Sequence, residues 1–322
     1  MIIPDIHGQA DKLHGLLNHI GWRKSASGWQ SSQPNEEIVF LGDFIDRGPN
    51  NTDVLATVRS LVDSGKAHAI MGNHELNAVH FHTQHPTTGQ PLRDHSDKNC
   101  RQHASFLEEF PLGSAKADEA IKWMRSLPMF LEFSDFRVVH ACWSGPAIKQ
   151  LRELTNNGVL TEDQFIRAAD KADPLYHISE TITKGPEVAL PEGFSFSDKD
   201  GNVRQDVRVK WWNDEAESWR DIAMSVPKID QLPTSGLPKE VLGTTYPSTE
   251  KPVFFGHYWL TGSPVLQSSN ALCLDYSAGK DGPLITYRFH GDMTAELDLS
   301  NIESAHSNLK PEKHWKPQQS PS

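Results

Sequence analysis

Along the first part of the chain, short apolar runs alternate with apolar residues at helical spacing. Ile2-Ile3 leads into Asp5-Ile6-His7-Gly8, after which Leu13, Leu16, Leu17 and Ile20 line one face of a helix. This order predicts a strand, a turn and a helix. Ile38-Val39-Phe40-Leu41 repeats the theme: it stops at Gly42-Asp43, and Val54, Leu55, Val58, Leu61 and Val62 mark a second amphipathic helix. A third run, Ala67-His68-Ala69-Ile70-Met71, stops at Gly72-Asn73-His74-Glu75. Stacked β-α units place ligands outside the carboxyl ends of their strands, so three polar clusters are expected on one rim.

The later pattern is less regular. Residues 77–115 are polar and rich in His, residues 116–127 read as a helix around Ile121, Trp123 and Met124, and residues 130–133 and 137–140 read as a strand pair. Residues 144–250 mix helical patterns with loops rich in Pro, Gly and Asp, and are expected to form a helical and loop cap inserted over the site. Strands resume at 253–255, 272–274 and 284–289, where they are expected to close a second sheet. The fold class is thus α/β, with a single domain over residues 1–303. The tail 304–322, with Pro, Lys, Gln and Ser and little apolar content, is expected to be disordered.

Composition narrows the function. Thirty-one Lys and Arg against 42 Asp and Glu give a net charge of -11. That balance excludes a broad electrostatic grip on a nucleic acid duplex or an anionic membrane, while leaving room for a local basic pocket. No apolar run approaches the roughly 18 residues of a membrane span, and the first residues lack the features of a signal peptide, so the expected location is cytoplasmic. Cys100, Cys142 and Cys273 are odd in number and far apart, which fits buried free thiols rather than a disulfide framework or a structural zinc site.

The chemistry lies in the polar clusters. Asp5-x-His7 at a strand end puts a carboxylate and an imidazole on one side with room for a metal ion between them, although a capping Asp and a surface His would look the same. Gly42-Asp43-x-x-Asp46-Arg47-Gly48 crowds two carboxylates, a guanidinium and two glycines onto one turn, and an ion-paired turn is its plainer reading. Gly72-Asn73-His74-Glu75 adds a neutral oxygen beside an imidazole, where Asn73 would otherwise cap a helix.

Together the three resemble the phosphoprotein phosphatase branch of the calcineurin-like metallophosphoesterases, in its bacterial form, whose pattern is Asp-x-His-Gly, Gly-Asp-x-x-Asp-Arg-Gly, Gly-Asn-His-Glu. Pro4 departs from the Gly-Asp that usually leads into the first motif. The resemblance covers residues 1–140 and resumes at 253–260, where Val138-Val139-His140-Ala141 and Phe254-Phe255-Gly256-His257 look like the family's last two histidine motifs. It implies a two-sheet β-sandwich flanked by helices. It also implies that Asp5 and His7 bind one metal, that Asn73, His140 and His257 bind another, and that Asp43 bridges them. Two divalent cations about 3.5 to 4 Å apart polarise phosphate and activate a water for in-line attack. Oxygen and imidazole ligands suit manganese first, with iron or zinc as alternatives. By the same resemblance His74 protonates the leaving group, Asp46 orients it, and Arg47 binds phosphate with its planar fork. A second phosphate-binding arginine is expected between the last two histidines; Arg220 is the nearest candidate, in competition with Arg204 and Arg208.

Other features weigh less. His80, His82, His85, His95 and His103 lack the spacing of a compact metal site and read as a polar loop over the rim. Trp211, Trp212 and Trp219 read as packing residues, with nucleobase stacking as the alternative. Asp275 is a candidate hydrogen-bond partner for a ligand histidine. Among functions, the first expectation is a phosphomonoesterase of the serine/threonine protein phosphatase type. The alternative is a hydrolase of dinucleoside polyphosphates or other nucleotides, and a non-catalytic metal-binding interaction protein is the third. Asp46-Arg47-Gly48 and His74-Glu75 favour the first.

Overall fold

The computed structural model describes residues 1–26, 28–198, 201–290 and 296–305. Two sheets carry the fold. In the first, strand Ile2–Ile3 runs parallel to Ile38–Phe40, which runs parallel to Ala67–Ala69. In the second, Val253–Phe255 lies between Arg137–Val139 and Ala271–Cys273, parallel to both, with Phe130–Glu132 antiparallel at the edge.

Strand Ile285–Tyr287 does not join the second sheet, as residues 284–289 were expected to. It pairs antiparallel with Ile2 in the first sheet and carries Ile302–Ser304 on its outer side. An apolar run specifies a buried strand and is silent about which edge receives it. Because Ile302–Ser304 is a strand, the ordered chain reaches beyond 303; the expected tail from 306 onward lies outside the described residues.

Both faces of the central strands are buried, and successive residues sort between them. Ile2, Val39, Val138, Phe254 and Leu272 point between the sheets, where they pack with Leu274, Ile285 and Tyr287. Ile3, Phe40, Val139, Phe255 and Cys273 point outward into a larger cluster with the helices. Helices Ala10–His19, Asn51–Asp63 and Ala115–Met124 form where the apolar spacing predicts them. The His-rich stretch holds helices Asn73–His82, Asp97–Gln102 and Ala104–Glu109.

Residues 144–250, expected as one cap, divide between two cores. Helices Gly145–Leu154, Glu162–Ala169 and Pro174–Lys184 start at local signals: Ser144 accepts from Ala147 N–H, Thr161 forms a capping box with Gln164, and Asp173 accepts from Leu175 N–H. Their apolar faces, with Ile148, Leu151, Phe165 and Ile182, belong to the main core. A separate small core forms only later, around Phe196, Val207, Val209, Trp219 and Ile222, on the three-stranded sheet of Glu187–Ala189, Asp206–Val209 and Ala223–Met224. Trp211 and Trp212 leave that sheet and pack in the main core against Phe255. All three tryptophans are buried, which excludes them as an open nucleobase platform.

The far end of this insertion is tied to the second sheet by charge. Arg137 donates to Glu132 (2.8 Å), Tyr246 (2.9 Å) and Glu250 (2.7 Å), and Arg152 also pairs with Glu132. Burial pushes the Glu132 carboxyl up, but the bonds from Arg137 and Arg152 outweigh it and bring the carboxyl from 4.5 down to about 2. A depressed folded-state value contributes stability that is present above pH 4.5 and lost as pH falls toward 2. Glu132→Gln is therefore expected to lower Tm at pH 7, with the gap to the parent closing between pH 4.5 and about 2 in scanning calorimetry; a gap unchanged by acid would refute the assignment.

Candidate metal centre

Six strands deliver polar residues to the same end of the sandwich. Asp5 and His7 follow Ile2–Ile3, Asp43 follows Ile38–Phe40, Asn73 follows Ala67–Ala69, His140 follows Arg137–Val139, His257 follows Val253–Phe255, and Asp275 follows Ala271–Cys273. The three sequence motifs and both later histidines do converge. Asp5, His7, Asp43 and His140 are at most 1% exposed, and Asn73 is also buried.

Backbone contacts lock the loops together. Ile6 and His7 N–H both donate to the Asp43 carbonyl at 2.9 Å, and Gly256 N–H donates to the His140 carbonyl at 2.8 Å. The Glu75 carboxylate accepts from the N–H groups of Asp43 (2.7 Å), Phe44 (2.8 Å) and Gly72 (3.0 Å). The glycines before the last two motifs serve this approach. A Cβ on Gly42, at φ 91°, would collide with the Gly72 backbone, and one on Gly72 would collide with Asp43. Left-handed backbone also occurs at His7, Asp43, Asp46, Arg47, His257 and Trp259. Such conformations cost L-residues about 1–3 kcal/mol each and persist where the surroundings impose them, as at ligand clamps.

The side chains show what the site can hold. The Nδ1–H of His7 donates to the Ile45 carbonyl at 3.0 Å, so its Nε2 lone pair faces Asp43 Oδ2 at 3.6 Å and Asp5 Oδ2 at 4.0 Å. That buried Nε2 has no hydrogen-bond partner. Burial, and then the charge of His74, hold the His7 ring down at about 3, in the neutral form that offers a lone pair. His140 is built the same way: Nδ1–H donates to the Leu41 carbonyl at 2.7 Å, while Nε2 faces Asp43 Oδ2 at 3.4 Å and Asn73 Oδ1 at 3.1 Å. His257 Nδ1 lies 2.9 Å from the same Asn73 oxygen. Burial opposes a charge on His140, yet Asp43 and then Asp5 push it up to about 10. A cluster of buried acceptors that draws a proton this strongly fits a cation. Among the described residues, two groups could hold a metal ion: His7, Asp43 and His74, and Asp43, His140 and His257. Asp43 is common to both. Asp5, 4.0 Å from His7 Nε2, also accepts from His257 N–H at 3.1 Å.

The remaining candidates take separate places. His74 Nδ1 and Asp46 Oδ2 are 2.5 Å apart, which leaves His74 Nε2 toward Asp43 at 4.0 Å. The other Asp46 oxygen accepts from His103 Nδ1 at 2.8 Å, so one histidine of the His-rich stretch supports the site. His82 Nε2 touches His103 Nε2 at 3.2 Å, and His95 stacks on Phe81. Arg47 is exposed at the rim with its guanidinium 4.0 Å from the centre of the Trp259 ring. Of the three later arginines, Arg204 pairs with Asp198, and Arg220 is exposed on the short helix Trp219–Ile222. Arg208 pairs with Glu187 at 3.3 Å, and its charge, after burial and His140, helps to hold the His257 ring well below its ordinary value. Asp275 bonds no ligand imidazole; it accepts from the N–H groups of Trp259 (2.7 Å) and Ser277 (2.9 Å). Glu75, His103 and Trp259 were not assigned roles from sequence. Their signals were present, as the last residue of a motif, a histidine in a polar stretch, and an aromatic two positions after His257.

The family profile of calcineurin-like phosphoesterases matches residues 1–257. The chain belongs to this family. Among curated relatives it is similar to a symmetrical bis(5'-nucleosyl)-tetraphosphatase of Psychromonas ingrahamii, 30% identical over 44% of this chain and 42% of that protein. It is also similar to an asymmetrical bis(5'-nucleosyl)-tetraphosphatase of Oceanobacillus iheyensis, 41% identical over 23% of this chain and 29% of that one. The chain thus spans less than half the length of these relatives. A solved serine/threonine protein phosphatase from Saccharomyces cerevisiae aligns over 96% of this chain and 80% of its own, at 16% identity and a TM-score of 0.46. Among the described residues no helix is long and apolar enough to cross a membrane.

Because both groups share one carboxylate, Asp43→Asn is expected to lower occupancy at the two positions together. Elemental analysis of the purified variant checks this, and retention of two metals per chain with full activity would rule out a bridging role.

Proposed function

We propose that this calcineurin-like phosphoesterase uses two divalent metals, manganese before iron or zinc, to hydrolyse dinucleoside polyphosphates. The observation that carries the two-metal reading is Asp43, shared between two groups of metal-holding type. His7 and Asp5 would hold one metal, and Asn73, His140 and His257 the other. When bound, the metals supply Lewis acidity to a phosphate oxygen and to the attacking water. The chain's own residues do the rest. Arg47, exposed at the rim, would bind phosphate oxygens with its planar fork, and Arg208 rather than Arg220 is the better placed second arginine. His74 would give the proton on Nε2 to the leaving oxygen while Asp46 holds the opposite nitrogen.

The names of the relatives support a nucleotide substrate over the phosphomonoester first expected. One observation favours the second reading, a phosphatase acting on phosphoserine or phosphothreonine. The 2.5 Å pair of His74 and Asp46 suits an alkoxide leaving group, which needs a proton far more than a nucleotide does.

Two measurements separate these readings. With manganese, kcat/KM for diadenosine tetraphosphate is expected to exceed that for phosphopeptides; a preference of about a hundredfold for phosphopeptides would reverse the order. His74→Asn is expected to lower kcat by about 10² to 10⁴ for alkyl phosphates, and by less for p-nitrophenyl phosphate, with metal content retained. Equal losses on both esters would remove the general-acid role.

A further inference from the structure

Two cations, Arg47 and Lys280, meet on one aromatic ring at the edge of the metal centre. The guanidinium of Arg47 lies 4.0 Å from the centre of the Trp259 ring and the ammonium of Lys280 lies 5.1 Å from it. Their separation is thus at most the sum of those distances. Trp259 itself stacks on His7, with ring centres 5.3 Å apart. Both cations are exposed. Several arginines elsewhere in this acidic chain are matched: Arg137, Arg152, Arg204, Arg208 and Arg288 each face a carboxylate. The charged ends of Arg47 and Lys280 make no hydrogen bond or ion pair with any described residue. The nearest acid in sequence, Asp281, acts on Lys12.

The loop that presents Lys280 is built into the site. The Lys12 ammonium, from the first helix, donates to the carbonyls of Ala278 (2.7 Å), Lys280 (2.5 Å) and Gly282 (2.9 Å). At the loop's start, Asp275 fixes both Trp259 N–H and Ser277 N–H. Gly279 lets the loop close on the centre, since a Cβ there would lie 2.7 Å from His7 and 3.0 Å from Trp259. A tethered loop that aims an unpaired cation at the rim fits an anion beside the one the metals hold.

We propose that Lys280, with Arg47 and Trp259, forms a subsite for the phosphate adjoining the one attacked, which selects substrates with two or more linked phosphates. This rests on the phosphoesterase reading above and names the residue that selects its substrate. Arg47 spans the attacked phosphate and its neighbour, and Lys280 neutralises the neighbour. A lone monophosphate reaches Arg47 and the metals but leaves Lys280 unused.

The test is competition against p-nitrophenyl phosphate hydrolysis by the manganese-loaded protein, using methylenebisphosphonate and methylphosphonate as inhibitors that are not turned over. The parent chain is expected to bind the bisphosphonate about tenfold or more tightly than the monophosphonate. Lys280→Glu should remove about tenfold of that preference, with Lys280→Ala intermediate. Metal content and melting temperature, measured alongside, exclude a folding defect. An unchanged preference, or equal losses for both inhibitors, overturns the subsite while leaving the phosphoesterase reading intact. Failure of the parent chain to hydrolyse either p-nitrophenyl phosphate or diadenosine tetraphosphate with manganese, iron or zinc overturns that reading and the subsite with it.

Discussion

The buried carboxylate of Glu75 is the constraint on which the centre depends. It is fully excluded from solvent and spends its lone pairs on three backbone N–H groups from two different loops. Burial, then the nearby Asp43 charge, push it up to about 7, so those three bonds must offset much of the cost of placing a carboxylate there. The same bonds fix the backbone of Asp43 and the loop that carries Asn73 and His74. They also explain why Gly precedes both motifs: two main chains pass too closely for a side chain at Gly42 or Gly72. One acidic side chain thus converts two separate strand ends into a single rigid edge.

That edge explains how much was legible in the sequence. Asp43, Asn73, His140 and His257 each follow a run of buried strand residues, so local pattern alone placed them at strand ends, and parallel pairing brings those ends together. What periodicity does not encode is the partner of each strand. Ile285–Tyr287 looks like any buried strand, yet it crosses to the first sheet, where Thr286 donates to the Ile2 carbonyl. Likewise the helices of residues 145–184 have ordinary amphipathic faces; only packing reveals that they extend the main core. The roles of Glu75 and Trp259 escaped local pattern for a related reason, since they lie in contacts with residues far along the chain.

Charge is distributed to suit the site. The chain carries a net charge of -11, and its buried centre adds the carboxylates of Asp5 and Asp43 and an unpartnered imidazole nitrogen on His7. Within this acidic body, Arg47 at the rim is held against Trp259 instead of a carboxylate, which keeps its fork free for an incoming anion. A cation stacked on a ring loses less of its field to a partner than one closed in an ion pair.

Asp46 shows how orientation is achieved without a metal contact. Both of its oxygens are occupied by imidazoles, His74 on one and His103 on the other. Burial raises its carboxyl, but the bonds from His103 and His74 outweigh that and bring it to about 2, so it stays a carboxylate. A carboxylate fixed at both oxygens cannot rotate toward the neighbouring centre, and it accepts the Nδ1 proton of His74. The remaining nitrogen of His74 then has one direction available, toward Asp43. His103, reached from helix Ala104–Glu109 and stacked on Phe106, is therefore part of what aims His74, although it lies outside every motif.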